Sequence, residues 1–135
     1  MNDMLTIRST SDSFRLILGP WDQGRGYEQS YIVAELEGPG LRARTKAFAP
    51  RTELFPLFFD DLAAQPNGWR GSKEWISVES ELALSCTFVK TGHVCLRAVL
   101  TQEGWKAAGS LDLEVGQLPS IAAEARRVFG TSAAT

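Results

Sequence analysis

The chain has 135 residues, 44% of them apolar and 22% charged, with a formal net charge of −2 and a pI near 5.4. That length predicts one domain, 1–135, able to bury roughly two-thirds of its unfolded surface. The acidic balance argues against a nucleic-acid surface, no apolar run reaches a membrane span, and the start Met1-Asn2-Asp3-Met4 lacks the layout of a signal peptide, so the expected compartment is the cytoplasm.

Leu5 and Ile7 alternate with polar residues and predict a short strand, followed by the turn-rich stretch Ser9–Ser13. Phe14, Leu16 and Leu18 predict a second strand, stopped by Gly19-Pro20. Pro20 to Ser30 reads as a loop carrying Trp21, Asp22, Arg25, Tyr27 and Glu28. Loops this long are uncommon in compact domains and often functional. Trp21 and Tyr27 either fold back over a sheet edge or, with Arg25, anchor a partner, since aromatic and arginine side chains dominate interface energetics.

Tyr31–Glu37 and Leu41–Phe48 predict a hairpin across Glu37-Gly38-Pro39-Gly40. With those four residues as the loop, Leu36 faces Leu41, Ala34 faces Ala43 and Ile32 faces Thr45. The other side sets Glu35 opposite Arg42, Val33 opposite Arg44 and Tyr31 opposite Lys46. The stripe Arg42, Arg44, Lys46 reads as a solvated face or as a surface for an anionic partner, and the acidic balance of the chain favours the first.

A helix is expected over Arg51–Ala64, capped by Thr52, with Pro56 in the first turn and Phe55, Phe58, Phe59 and Leu62 on one face. Asp60 and Asp61 fall on its outer side. Gln65-Pro66-Asn67-Gly68 stops it, and Trp69-Arg70-Gly71 connects onward.

In Lys73–Val89, alternation places Ile76, Val78, Leu82, Leu84, Cys86 and Phe88 on one face. Ser80 interrupts that face, so the segment is one bent strand or two. His93–Thr101 follows. A three-residue loop pairs Val89 with His93 and then matches Phe88 with Val94, Cys86 with Leu96, Leu84 with Ala98 and Leu82 with Leu100. A one-residue slip would turn one apolar set outward, so this register is expected, with Gly92 left-handed. Trp105–Val115 is the next strand, and the turn Thr101–Gly104 pairs Leu100 with Trp105 and Ala98 with Ala107. Those small residues leave room for a helix. Leu118–Phe129 predicts that second helix, with Pro119 in its first turn, Leu118, Ile121, Ala122, Ala125, Val128 and Phe129 apolar, Arg126 and Arg127 at its negative end, and Gly130 as the stop. Residues 131–135 read as a frayed tail.

The expected fold is therefore α+β: a mostly antiparallel, curved β-sheet of about seven strands with two amphipathic helices packed against it. Each half runs strands and then a helix, although no residues match between the halves.

Little chemistry is visible. Cys86 points inward and Cys95 outward, which opposes a disulfide. His93 stands beside a hairpin tip with no partners for a metal or a triad. Phosphate-loop, dinucleotide and nucleophile-elbow motifs are missing from the sequence. Glu79 and Glu81 share a strand face, whereas glycoside hydrolysis needs two carboxyls facing each other across a substrate. With Glu53, Asp60 and Asp61 they form, at most, a negative patch for a basic partner. No catalytic residue, cofactor or metal is expected, and the chain does not read as an enzyme.

Several strings carry a resemblance: Val33-Ala-Glu-Leu-Glu-Gly-Pro-Gly-Leu41, Phe58-Phe59-Asp60-Asp61-Leu62-Ala63, Trp69-Arg70-Gly71, Trp75 to Leu82, and Gly92-His93-Val94-Cys95-Leu96-Arg97. With Trp105 and the last helix, they resemble an uncharacterised family of small bacterial proteins, mainly from actinobacteria. The resemblance spans most of the chain and brings no catalytic residues. The order of elements is also similar to immunity proteins of the wall-associated-toxin type, which bind and neutralise a cognate toxin. These similarities imply a non-enzymatic domain that masks a toxin or another protein, such as a neighbouring gene product. The alternative is a small molecule held between sheet and helices. Trp21, Arg25, Tyr27, Trp69, Glu79 and Glu81 are the candidate partner-binding residues.

Overall fold

The computed structural model describes residues 4–22, 30–50 and 54–130, with Trp21 and Asp22 described by their backbone alone. It contains two antiparallel four-stranded sheets rather than one sheet of about seven strands. The first is the meander β1 (Leu5–Arg8), β2 (Arg15–Asp22), β3 (Tyr31–Gly38) and β4 (Leu41–Phe48). Helix α1 (Phe55–Ala63) leads to the second meander, β5 (Ser72–Ile76), β6 (Leu82–Lys90), β7 (His93–Gln102) and β8 (Trp105–Glu114). A single 3-10 turn, Val115–Gln117, then opens α2 (Leu118–Phe129).

Two local features account for the difference. The segment Lys73–Val89 is two strands, reversing through Ser77–Glu81 with Ser80 at φ 65°. Helix α1 also carries the chain away from β4, so β5 founds a new sheet. The reversal changes which side chains face inward. Trp75 pairs with Leu84 on the inner face, while Ile76 and Val78, expected in the core, are 53% and 65% exposed.

The β6–β7 register has the expected core pairs, Leu82–Leu100, Leu84–Ala98, Cys86–Leu96 and Phe88–Val94. The closing pair is Lys90–His93 rather than Val89–His93, with an irregularity at Val89 and Gly92 at φ 83°. The two neighbouring hairpins differ from expectation by two residues. Leu36 pairs with Ala43, Ala34 with Thr45 and Ile32 with Ala47; Leu100 pairs with Ala107 and Ala98 with Gly109. Both hairpins close through two-residue turns, Pro39-Gly40 and Glu103-Gly104, in which the second residue, a glycine, is left-handed (φ 72° and 94°). A shift of two leaves every face unchanged, because the strand period is two. Strand β2 also passes through Gly19-Pro20 and reaches Asp22, with an irregular register between Leu18 and Trp21.

The inner faces of the sheets converge where β3 and β4 meet β7 and β8. The space beside Ala98 holds side chains of the first sheet instead of a helix. Phe14 and Leu36 lie over Gly109, where an added Cβ would come within 2.8 Å and 3.2 Å of them, and the same Phe14 ring covers Gly38. The helices fill the other side. Helix α1 lies on β5, α2 lies on β1 and β2, and the two pack on each other. Each half's helix thus covers the other half's sheet.

Phe55 joins these layers. It is fully buried and meets Trp75, Phe129 and Phe59 edge-on, at centroid distances of 4.5, 5.0 and 5.4 Å. Pro56 occupies the first turn of α1, with Leu54 at the cap position, while Thr52 lies outside the described residues. Asp60 and Asp61 do not form an open acidic patch: Asp60 pairs with Arg126 of α2, and Asp61 pairs with Lys73 of β5 at 2.9 Å.

Candidate partner-binding site

One end of the molecule gathers several of the predicted features. Strand β3 begins at Tyr31 and β4 ends at Phe48, directly opposite. Their rings lie 5.5 Å apart, and the Lys46 ammonium sits 4.8 Å from the Tyr31 ring centroid. Asp22, the last residue of β2, is the other neighbour of Tyr31. The Ala49 N–H donates to the Ser30 carbonyl at 2.9 Å, which directs Pro50 toward α1.

The β5–β6 turn docks on the same end. The Val78 N–H donates to the Phe48 carbonyl at 3.3 Å. The Glu81 carboxylate accepts from the Phe48 N–H at 3.3 Å and from the Ser77 hydroxyl at 2.8 Å. Ser77 in turn accepts from the Leu82 N–H at 3.1 Å, so a buried hydroxyl is satisfied in both directions. The Glu81 carbonyl also accepts from the Thr101 N–H at 2.8 Å.

These contacts leave a groove of about 150 Å³ lined by Ala49, Pro50, Leu54, Trp75, Ile76, Ser77 and Val78. Its apolar rim is open to solvent: Leu54 is 44% exposed, and Leu57, one turn along α1, is 56% exposed. Glu79 stands exposed beside Val78, with no hydrogen bond or ion pair among the described residues. An apolar centre with a charged edge is the common layout of a protein interface.

Of the six sequence candidates, Glu79 is the one placed openly at this end. Glu81 is here too, but it braces the turn against β4 and is half-buried. Its carboxylate does not share a strand face with Glu79, which sits in the turn. Trp69 lies elsewhere and is structural: its ring packs on Phe88 at 5.8 Å, and its Nε1–H donates to the Cys86 carbonyl at 3.2 Å. Lys73 also lies 5.8 Å from the Trp69 ring. The side chain of Trp21, together with Arg25 and Tyr27, falls outside the described residues, although the Trp21 backbone pairs with Ile32. Leu54, Leu57, Ile76 and Val78 were not among the candidates.

The remaining groups offer little reactivity. Burial, followed by the neighbouring Cys95, pushes the Cys86 thiol up to about 12. Both cysteines are free thiols. Among the described residues no group of three His, Cys, Asp or Glu side chains is arranged to hold a metal. Of the basic stripe, Arg42 lies 3.0 Å from Glu35 and 3.3 Å from Glu37, and Lys46 lies over the Tyr31 ring; on the neighbouring strand Arg15 donates to Glu37 at 2.7 Å. An open cleft of about 510 Å³, lined by Arg8, Phe14, Arg15, Glu37 and Pro39, marks the opposite end of the first sheet. The space between sheets and helices is occupied by Phe55, Phe59, Leu62 and Phe129, each at most 2% exposed.

Among the described residues no helix is long and apolar enough to cross a membrane. Comparison with curated proteins finds no match. The model of a family of unknown function, DUF6228, matches residues 8–132, and with nearly the whole chain covered the protein belongs to that family.

Proposed function

We propose that the chain is a non-enzymatic, immunity-like binding domain that masks a toxin or another protein partner with the end built around Phe48 and Val78. One observation carries this reading. Leu54, Ile76 and Val78 are three of the seven large apolar side chains left exposed among the described residues, and they line one groove. Covering what remains exposed of each would contribute on the order of 1 kcal/mol, which suits a set of interface anchors. Glu79 at the rim would speed association with a basic partner more than it sets final affinity. The similarity in element order to immunity proteins of the wall-associated-toxin type supports the same reading. A small ligand held between sheets and helices fits less well, because Phe55, Phe59, Leu62 and Phe129 already fill that space.

Co-expression with the product of the adjacent gene tests the proposal. Rescue from toxicity and co-purification are expected. Absence of both, with a small ligand carried through purification instead, contradicts it.

A further inference from the structure

The two sheets have outer faces of opposite construction. On the first sheet, Arg8, Arg15, Glu37 and Arg42 form one row across all four strands, and the next row carries Thr6, Ile17, Glu35 and Arg44. With Lys46, long charged side chains pave that face, five cations against two carboxylates. Such a face stays hydrated and repels its own copy. On the second sheet, the row Ile76, Ala83, Val99, Ala108 is apolar across all four strands. The row beside it is Glu74, Ser85, Arg97, Ser110, with one charge of each sign. Short side chains let a second sheet approach to about 10 Å.

We propose that this outer face, on β5 to β8, is the interface of a homodimer, with a two-fold axis running parallel to the strands between β6 and β7. This goes beyond the partner-masking reading and uses a different face, which shares Ile76 with the groove. The occupant is a second copy because the face is complementary to itself under that operation. The axis exchanges β5 with β8 and β6 with β7. It therefore sets Ile76 against the partner's Ala108 and Ala83 against the partner's Val99, a large side chain over a small one at every position of the apolar row. In the second row it sets Arg97 over Ser85 of the other copy, one strand spacing, about 4.8 Å, from Glu74. Arg97 is exposed and has no ion pair among the described residues, so its guanidinium is available to that carboxylate twice over by symmetry. Leu54 and Val78 lie outside this row and stay with the groove; Ile76 stands at the corner between the two surfaces.

The test is the mass of the full chain in solution by light scattering or sedimentation, across micromolar to millimolar concentration. The expected species is twice the 14.8 kDa chain. Arg97→Glu is expected to weaken the dimer at least tenfold, on the order of the effect of a like-charge contact. Glu74→Arg combined with Arg97→Glu is expected to restore it, with circular dichroism confirming that each variant is folded. A monomer at every concentration overturns the proposal. So does a dimer indifferent to Arg97→Glu, or a single variant that the charge swap fails to rescue. Partner binding is read separately from mass, so a monomer that still co-purifies with its partner rejects the dimer alone.

Discussion

Phe55 has no exposed surface and touches three other rings, one on each neighbouring layer and one on its own helix. Removing it would leave a cavity that α1, α2 and β5 cannot all close. Phe55→Ala is expected to cost about 3–5 kcal/mol in a denaturant titration. Phe14 plays the matching part where the sheets meet, held against Gly38 and Gly109. Gly109→Ala places a methyl into that ring and into Leu36, and is expected to destabilise by about 1–3 kcal/mol. Protonation acts at the same scale. Arg15 beside Glu37, and Arg127 beside Glu124, hold both carboxyls below their ordinary value of 4.5. Their contribution is complete above that pH and is lost as the pH falls below it. Cys86 has the opposite sign: its folded value of about 12 stands above the ordinary 9.0, so its contribution is complete below pH 9 and is lost as the pH rises toward 12. The melting temperature of Cys86→Ala should therefore decline less steeply than that of the native chain over the alkaline part of that range.

At the scale of elements, the β5–β6 turn decides how the candidate site is built. Its serine at position 80 is the single described non-glycine residue with positive φ, which costs free energy that glycine does not incur. Ser80→Gly should leave stability unchanged or raise it by up to about 1 kcal/mol, measured by thermal unfolding. This turn was hard to read from sequence because the usual glycine or Asn-Gly signal is missing from it. Alternation runs on through Ile76, Ser77 and Val78 although the strand ends at Ile76, so the pattern points two rim residues inward. Where the signal was present, as at Gly92, the register was legible to the residue along the core-facing positions. Pro39-Gly40 and Glu103-Gly104 were recognised as turns, but the paired strands run closer to the tips than a four-residue loop allows. The helix faces were legible because Phe55, Phe58, Phe59 and Leu62 keep a helical spacing that survives an uncertain start. Of the site itself, Glu79 was legible as an exposed acid. Glu81 was not legible as a brace, because its partners Phe48 and Ser77 come together only through the fold.

For the whole molecule, the exchange of helices between sheets matters most. Helix α1 belongs to the first half and lies on β5, while α2 belongs to the second and lies on β1 and β2. Neither half covers its own apolar face. Residues 1–68 and 69–135 expressed apart should each be unfolded by amide exchange, and mixing them should restore protection. The strands-then-helix order of each half is legible in the sequence, but the exchange is not, since nothing local in a sequence says which sheet a helix will cover. The same architecture places the Tyr31–Phe48 pair, the start of α1 and the β5–β6 turn at one end, where the masking reading locates the partner. The most direct test is the affinity of the co-expressed partner for a Leu54→Asp, Val78→Asp variant, measured by calorimetry beside its melting temperature. The account predicts that binding falls at least a hundredfold, on the order of what two lost apolar anchors contribute, with the melting temperature unchanged. Unchanged affinity in a folded variant would contradict it.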